Sequence, residues 1–136
     1  MLTCGYRTSM TARDLARDFV AGVMDHDFDR MHAALSPDAT WSVPGDHGIS
    51  GVARGADAVV ERARAVAAGG VSIELRYELT GWDRVAVLLH NTGERNGTVL
   101  DEQVVIVFTV ADGRITAAEN LISDVPGLEA FFRAGS

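Results

Sequence analysis

The sequence lacks several features that would each mark a particular class of protein. Its only cysteine is Cys4, so no disulfide can form within the chain and nothing indicates an oxidising compartment. No segment approaches the roughly 18 consecutive apolar residues of a membrane span. The first residues, MLTCGYRTSMTARD, also lack the apolar core of a signal peptide. We therefore expect a cytoplasmic protein that does not enter a membrane.

Basic residues are scarce as well, with 12 against 19 acidic ones and a formal net charge of −7. Proteins that bind nucleic acid or an anionic membrane surface use basic patches to neutralise phosphates, so neither partner is expected. Metal-ligand patterns are also missing. His26 and His32 lie on or beside predicted helix faces, and the sequence contains no Cys/His cluster. We expect neither a metal nor a cofactor.

The domain organisation follows from the length of the chain and from the first helix start. A chain of 136 residues is most simply one domain. Thr11, with Asp14 three residues later, has the pattern of a helix N-cap and capping box. Residues 1–10 are therefore assigned to a flexible leader, and residues 11–136 to a single domain.

The first half of the chain predicts three helices and one short strand. Apolar residues at helical spacing follow Thr11 to about residue 25, and Asp27 begins a second, short helix. A third helix runs from about residue 56 to residue 68 and ends at two glycines. Residues 39–43 are predicted to form a short strand, followed by a glycine-bearing loop.

The second half predicts a sheet. Apolar and polar residues alternate strictly from Val71 to Thr80, which is typical of a half-buried antiparallel strand. The segments RVAVLLH, EQVVIVFTV and RITAAENLI follow it, separated by turn sequences, and Asp124 with Pro126 begins a final short helix. Helices first and an antiparallel sheet over residues 71–122 after them predict an α+β domain, with one curved sheet and helices over one face.

The stretch HNTGERNGTVLDE, residues 90–102, determines which side chains share a face of that sheet. Asn96-Gly97 can form a two-residue loop, or a three-residue loop in which glycine is left-handed. A slip of one residue moves every side chain of a strand to the opposite face. With the three-residue loop that starts at Arg95, His90 lies opposite Glu102.

The same treatment of the next turn places Asn120 opposite Val104 and predicts two mostly apolar faces. One face carries Arg84, Ala86, Leu88, His90, Glu102, Val104, Ile106, Phe108, Ala118 and Asn120. The other carries Val85, Val87, Leu89, Gln103, Val105, Val107, Glu119 and Leu121. Helices would cover one face and a second subunit the other, so we expect a homodimer through the outer face, motivated by Val85, Val87, Val105 and Val107.

Three segments resemble a known family: DFDRMHAALSPDATWSVPG, SGVARGADAVV and HNTGERNGTVLDEQVVIVFTVADGRI. They look like the SnoaL-like branch of the nuclear transport factor 2-like superfamily, and the resemblance extends over residues 11–133. It implies a cone-shaped α+β barrel of the cystatin-like type, three N-terminal helices over the concave face, a deep chamber beneath them, and dimers through the outer sheet face. Members include steroid isomerases, polyketide cyclases, epoxide hydrolases, dehydratases and plain binding proteins.

Two of these reactions do not carry over residue by residue. The base, the oxyanion tyrosine and the protonated aspartate of the steroid isomerases would fall at Val43, near Phe19 and near Ile106. The epoxide hydrolase triad would fall on Arg84, Ala86 and Asn120, which keeps only the arginine. The resemblance therefore does not imply either reaction as those enzymes perform it.

Acid–base chemistry on a hydrophobic metabolite is the predicted activity, by cyclisation, isomerisation or epoxide opening. A carboxylate beside an imidazole favours the charged ring and fixes its tautomer, so His90 and Glu102 are the predicted catalytic pair. Asn120 would position a substrate oxygen. The predicted substrate-binding residues are Phe19, Trp41, His47, Arg84, Leu88, Val104, Ile106 and Phe108.

Two alternatives remain open at this level. His90 and Glu102 could instead be a solvent-exposed cross-strand pair near the end of a hairpin. The domain could also be a non-catalytic one that holds a hydrophobic ligand or a partner chain in the same chamber. An enzyme needs two or more convergent titratable groups, whereas a binding domain needs only one anchoring hydrogen bond.

Overall fold

The computed structural model describes residues 11–134, so the predicted leader over residues 1–10 lies outside the described residues. The helices are α1 (Ala12–Asp25), α2 (Phe28–Ala34), α3 (Ala56–Ala68) and α4 (Val125–Ala134). The strands are β1 (Leu35–Val43), β2 (Gly51–Arg54), β3 (Ser72–Thr80), β4 (Arg84–Arg95), β5 (Thr98–Ala111) and β6 (Arg114–Ile122). Within the described part of the chain, no helix is long and apolar enough to cross a membrane.

The N-terminal helices begin where the sequence predicts because local hydrogen bonds fix their first turns. Thr11 Oγ1 accepts a hydrogen bond from the Asp14 amide at 3.1 Å, and the Asp14 carboxylate accepts one from the Thr11 amide at 3.2 Å. This reciprocal pair is the predicted capping box. The Asp27 side chain likewise accepts a hydrogen bond from the Arg30 amide, at the start of α2. The predictions for these helix starts are confirmed.

The six strands form one open sheet in the order β2-β1-β6-β5-β4-β3. Two features differ from the prediction: β1 begins at Leu35 and pairs in parallel with β6, and β2 occupies part of the predicted loop. Strand β2 gives little hydrophobic signal because three of its four residues are exposed, and backbone pairing with β1 holds it. The antiparallel sheet predicted over residues 71–122 is thus extended by two N-terminal strands.

The register of the β4–β5 hairpin differs from the prediction by one residue. Asn96 and Gly97, with φ of 50° and 84°, form a two-residue loop, and Arg95 pairs with Thr98. Asparagine and glycine both tolerate positive φ, which a type I′ turn requires, and the twist of this turn matches that of the flanking strands. The predicted three-residue loop is therefore wrong.

The register of the β5–β6 hairpin differs from the prediction by two residues, and this difference does not change which face of the sheet each side chain is on. Asp112 and Gly113 form another two-residue loop, and the pairing shifts between Thr109 and Val110. Asn120 consequently lies opposite Ile106 rather than opposite the predicted Val104. Because the side-chain period of a strand is two, Asn120 keeps its predicted face.

These registers determine which side chains face the helices. Strands β5 and β6 present the predicted residues inward, whereas β4 is reversed and presents Val85, Val87, Leu89 and Asn91 inward. Arg84, Ala86, Leu88 and His90 are therefore on the outer face, contrary to the prediction. Val85 and Val87 are 1% and 0% exposed and belong to the core, so they cannot contribute to an outer interface.

Candidate active site

A cavity lies between the inner face of the sheet and the helices. Its volume is about 40 Å³, room for roughly three water molecules. The side chains that line it are hydrocarbon except for those of Trp41, Asn91, Glu102 and Asn120. A few convergent polar groups in an apolar concavity are typical of a small-molecule site.

Glu102 is the one ionisable side chain among the described residues that line this cavity. The residue is only 2% exposed, and its Oε1 is buried without a hydrogen-bond partner in residues 11–134. Burial raises the pKa of the Glu102 carboxyl to about 7, the Asn91 hydrogen bond opposes this shift, and the charge of Asp124 adds to it. Near neutral pH the carboxyl is therefore close to half protonated, and it can both release and accept a proton.

Asn91 is a site residue that the sequence reasoning missed. It lies directly opposite Glu102, and its Nδ2 donates to Glu102 Oε2 at 3.3 Å. Its Oδ1 is buried and accepts no hydrogen bond from the described residues. A signal was available in β4, because the alternate residues Val85, Val87 and Leu89 are more apolar as a set than Arg84, Ala86 and His90. That comparison favours the register in which Asn91 faces inward.

Asn120 is held in one orientation by Trp41. The Trp41 indole Nε1 donates to Asn120 Oδ1 at 2.7 Å. Because an indole N–H can only donate, it assigns the oxygen of the amide to this contact and leaves the NH2 group available. Trp41 itself is fixed by Arg62, which donates to the Trp41 carbonyl at 2.7 Å and lies 5.5 Å from the ring centroid.

His90 is not part of this cavity, so the predicted pairing of His90 with Glu102 is wrong. It lies opposite Gln103 on the outer face of the sheet. There its Nε2 is 2.6 Å from Asp101 Oδ1, and its Nδ1 is 3.4 Å from Arg76 Nη2. The one-residue difference in the hairpin register causes this separation.

Seven of the eight predicted substrate-binding residues fall into three groups. Trp41, Val104 and Ile106 line the cavity. Phe19 and Phe108 are fully buried behind it, where their ring centroids are 4.9 Å apart, and Phe19 packs edge-on against Trp41. Arg84 and Leu88 lie on the outer face and do not reach the cavity.

His47 lies in the loop between β1 and β2, beside the cavity. Its ring centroid is 6.1 Å from that of Phe132, which lines the cavity, and its Nδ1 is buried without a partner in the described chain. No group of three or more His, Cys, Asp or Glu side chains within residues 11–134 is placed to hold a metal ion.

Comparison with known proteins agrees with this architecture. A model of the SnoaL-like domain matches residues 16–118. An uncharacterized protein of Mycobacterium tuberculosis is 32% identical over 123 residues, which cover 88% of this chain and 94% of that protein.

Solved structures show the same fold. A Xanthomonas campestris protein of unknown function with a cystatin-like fold has 27% identity and a TM-score of 0.79, over 90% of this chain and 98% of that one. TerC, co-crystallized with polyporic acid, has 22% identity and a TM-score of 0.75, over the same shares of the two chains. The chain belongs to the SnoaL-like domain family, and its fold is the cystatin-like, nuclear transport factor 2-like α+β fold.

Proposed function

We propose that this protein is a small-molecule enzyme that moves a proton on a neutral hydrophobic metabolite, in an isomerisation or an aldol-type cyclisation. The observation that carries the proposal is Glu102, a buried carboxyl in an apolar cavity with one oxygen unpartnered among the described residues. Its pKa of about 7 is suited to a group that must be a base in one step and an acid in the next. Epoxide-opening hydrolysis is less favoured, because the arginine that the resemblance carries over for it, Arg84, lies on the outer face.

The proposed reaction uses the chain's own groups and needs no cofactor. The Glu102 carboxylate takes a proton from a carbon that is conjugated to a carbonyl group. The electron pair of the broken C–H bond moves onto the carbonyl oxygen, where the Asn120 NH2 group donates a hydrogen bond to the developing negative charge. The protonated Glu102 then returns the proton to another carbon. The atoms balance, and Glu102 ends as it began.

Entry of a metabolite requires movement, because about 40 Å³ is smaller than any such ring. Helix α4 supplies Leu128 and Phe132 to the cavity lining. Its polar contacts with the rest of the fold include Asn96 Nδ2 to the Ala134 carbonyl and the Asp46 amide to Glu129 Oε2, and its buried side chains Leu128, Phe131 and Phe132 pack into the core. We propose that α4 moves aside to admit the ligand.

A second candidate is a non-catalytic binding domain, and one observation favours it. The cavity has one titratable side chain where two were expected, since His90 is on the other face. A binding domain needs no titratable pair, because the unpaired hydrogen-bonding groups of the cavity are enough to hold a ligand. TerC, a protein of this fold that was co-crystallized with polyporic acid, supports a small organic ligand in either case.

Deuterium exchange separates the two candidates. The protein is incubated in D2O with 3-methylcyclohex-2-enone, and incorporation at the carbons conjugated to the carbonyl is followed by NMR. We expect the native protein to exchange these protons at least ~10²-fold faster than the Glu102→Gln variant. Glu119→Gln, which changes an exposed carboxylate of β6, is the matched control and should exchange like the native protein. Equal rates for the native protein and Glu102→Gln would reject the enzyme and leave the binding domain.

A further inference from the structure

The imidazole of His47 has two nitrogen atoms in different surroundings, and the proposed reaction uses neither of them. Nδ1 is buried and has no hydrogen-bond partner in the described residues. Nε2 is not buried in this way and makes no hydrogen bond within residues 11–134, so solvent reaches it. A neutral imidazole carries a proton on one nitrogen and accepts one on the other. This ring can therefore accept a proton on its buried side and release one to solvent.

The loop between β1 and β2 holds this ring in place. The His47 carbonyl accepts a hydrogen bond from the Ser50 amide at 2.9 Å, and the Ser50 carbonyl accepts one from the Arg62 guanidinium of α3 at 3.1 Å. On the other side of His47, the Asp46 amide donates to the Glu129 carboxylate of α4. Because these contacts fix the backbone on both sides of His47, its buried nitrogen calls for a partner that the described chain does not supply.

One aromatic ring separates His47 from the cavity. The ring centroids of His47 and Phe132 are 6.1 Å apart, and Phe132 lines the cavity. Ile49, two residues after His47, lines the cavity as well. Phe132 belongs to α4, the helix that is proposed to move aside when a ligand enters. Displacement of the Phe132 ring would open the cavity toward the buried nitrogen of His47.

The proposed reaction leaves the Glu102 proton far from any solvent-exposed acid or base. Glu102 is 2% exposed, and among the described residues it is the one ionisable side chain that lines the cavity. Its hydrogen-bond partner Asn91 is an amide, which does not gain or lose protons near neutral pH. A proton that Glu102 takes from a carbon therefore stays in the cavity unless water or a further group carries it out.

We propose that His47 is a relay residue, which exchanges the Glu102 proton with solvent during the reaction. After Glu102 takes a proton from the substrate carbon, a water molecule in the opened cavity passes a proton on to His47 Nδ1, and Nε2 releases one to solvent. The reverse passage returns a solvent proton to Glu102, which delivers it to the second carbon. Each passage moves one proton, and the imidazole ends in the tautomer in which it began. This inference rests on the proposed function for the reaction and gives the site a second titratable group.

The origin of the proton that reaches the second carbon tests this role. In D2O, 3-methylcyclohex-3-enone becomes the conjugated 3-methylcyclohex-2-enone when a proton leaves C2 and another arrives at C4. A proton that stays on Glu102 arrives at C4 as hydrogen, whereas one exchanged with solvent arrives as deuterium. NMR at early conversion gives the deuterium content of C4 per molecule of product. This ratio does not depend on how much of the protein is folded.

Two variants of His47 and one control define the expected result. The native protein should give product that is deuterated at C4, and His47→Phe should lower this content roughly 10-fold, because phenylalanine keeps a ring against Phe132 but carries no proton. His47→Ala should lower it as well, and imidazole added to the buffer should restore it in His47→Ala but not in His47→Phe, where a ring fills the space. His32→Gln, which changes a half-exposed histidine of α2, is the matched control and should keep the native ratio.

Three results would each overturn the relay. They are native product without deuterium at C4, an unchanged deuterium content with His47→Phe, and a loss in His47→Ala that imidazole does not reverse. A native protein that converts the enone no faster than Glu102→Gln would reject the proposed function, and the relay with it. Conversion that depends on Glu102 while His47→Phe keeps the native deuterium content would reject the relay alone, so the two failures are distinguishable.

Discussion

Asn91 lies directly opposite Glu102 across the β4–β5 hairpin, and its side-chain Nδ2 donates a hydrogen bond to that carboxyl at 3.3 Å. A donor to a carboxylate stabilises the ionised form, whereas burial and the neighbouring Asp124 stabilise the protonated form. The pKa of about 7 is the balance of these influences, with burial the largest. The contributions of Asn91 and of Asp124 to this pKa can each be removed by a single substitution.

Replacing Asn91 by leucine should raise the pKa of Glu102 further. The substitution removes the hydrogen bond that favours the carboxylate and keeps a side chain of similar size. The measurement is the titration of the Glu102 side-chain carbon by 13C NMR in the native protein and in Asn91→Leu. An unchanged or lowered pKa would show that the 3.3 Å contact does not act on the carboxyl.

Replacing Asp124 by asparagine should have the opposite effect and lower the pKa of Glu102. The carboxylate of Asp124 is a negative charge near Glu102 and disfavours a second one. Asparagine retains an oxygen for the hydrogen bond that Asp124 Oδ1 accepts from the Gly127 amide at 3.0 Å, so the start of α4 should persist. The same 13C titration measures this change in pKa. In the native protein, added salt should weaken the repulsion between Asp124 and Glu102 and so lower the pKa of Glu102 in the same direction. A pKa unaffected by this substitution would remove Asp124 from the explanation.

The stability of the fold should fall as the pH rises from about 4.5 to about 7. The folded pKa of Glu102 is about 7 and the unfolded value is 4.5, so the folded state binds this proton more tightly. The stabilisation is complete below pH 4.5 and is lost as the pH rises through the folded pKa. A shift of this size corresponds to on the order of 3 kcal/mol. Urea denaturation at pH 5 and pH 8 should show the loss in the native protein, and Glu102→Gln should lack it.

Glu78 should show the opposite pH dependence and serves as an internal contrast. Its carboxylate joins β3 to α1 by accepting hydrogen bonds from Arg17, at 2.6 and 2.7 Å, and from Arg13, at 2.8 Å. Arg17 first and Arg13 second lower the pKa of Glu78 to about 2. The stability that this carboxylate contributes is present above pH 4.5 and is lost as the pH falls toward 2.

Both arginines are about half exposed, so solvent screens these ion pairs. Glu78→Gln should therefore cost only about 1 kcal/mol at pH 7. Urea denaturation at pH 7 and pH 3 measures this cost, with Glu94→Gln, which changes an exposed carboxylate of β4, as the control. If the control variant lost as much free energy of unfolding as Glu78→Gln, the change in net charge, rather than the α1–β3 contact, would be responsible.

The helix starts could be predicted from the sequence because the interactions that fix them are local. Thr11 and Asp14 are three residues apart, and their mutual hydrogen bonds depend on nothing outside that turn. The face that carries Glu102 and Asn120 could also be predicted, since an error of two residues in the β5–β6 register leaves faces unchanged.

The hairpin register could not be fixed from the turn sequence, and the pairing of His90 failed for that reason. Asn96-Gly97 is compatible with both loop lengths, and both faces of β4 contain apolar residues. Only the more apolar set Val85, Val87 and Leu89 distinguishes the two faces of β4 within the sequence, and packing of that set under the helices places Asn91 rather than His90 in the cavity. Strand β2 was missed for a related reason, because backbone pairing with β1 rather than hydrophobic burial defines it.

The outer face of the sheet leads to a prediction about assembly. Tyr77, Leu79 and Leu121 are 63%, 61% and 52% exposed on this face, and Val105 and Val107 lie half-buried between them. We propose that a second copy of the chain covers this apolar surface through a two-fold interface, now without the two valines of β4.

Light scattering at micromolar concentration should therefore give twice the 14.5 kDa of one chain. Leu121→Glu should yield monomers, because it places a charge in the middle of an apolar interface. Trp82→Glu is the matched control: Trp82 is fully exposed in the β3–β4 turn, outside this face, and its replacement should leave the mass unchanged. Circular dichroism should show the same helix and strand content in all three proteins, because Leu121 and Trp82 are both outside the core. A native protein that scatters as a monomer would contradict the prediction, and the outer face would then need no partner.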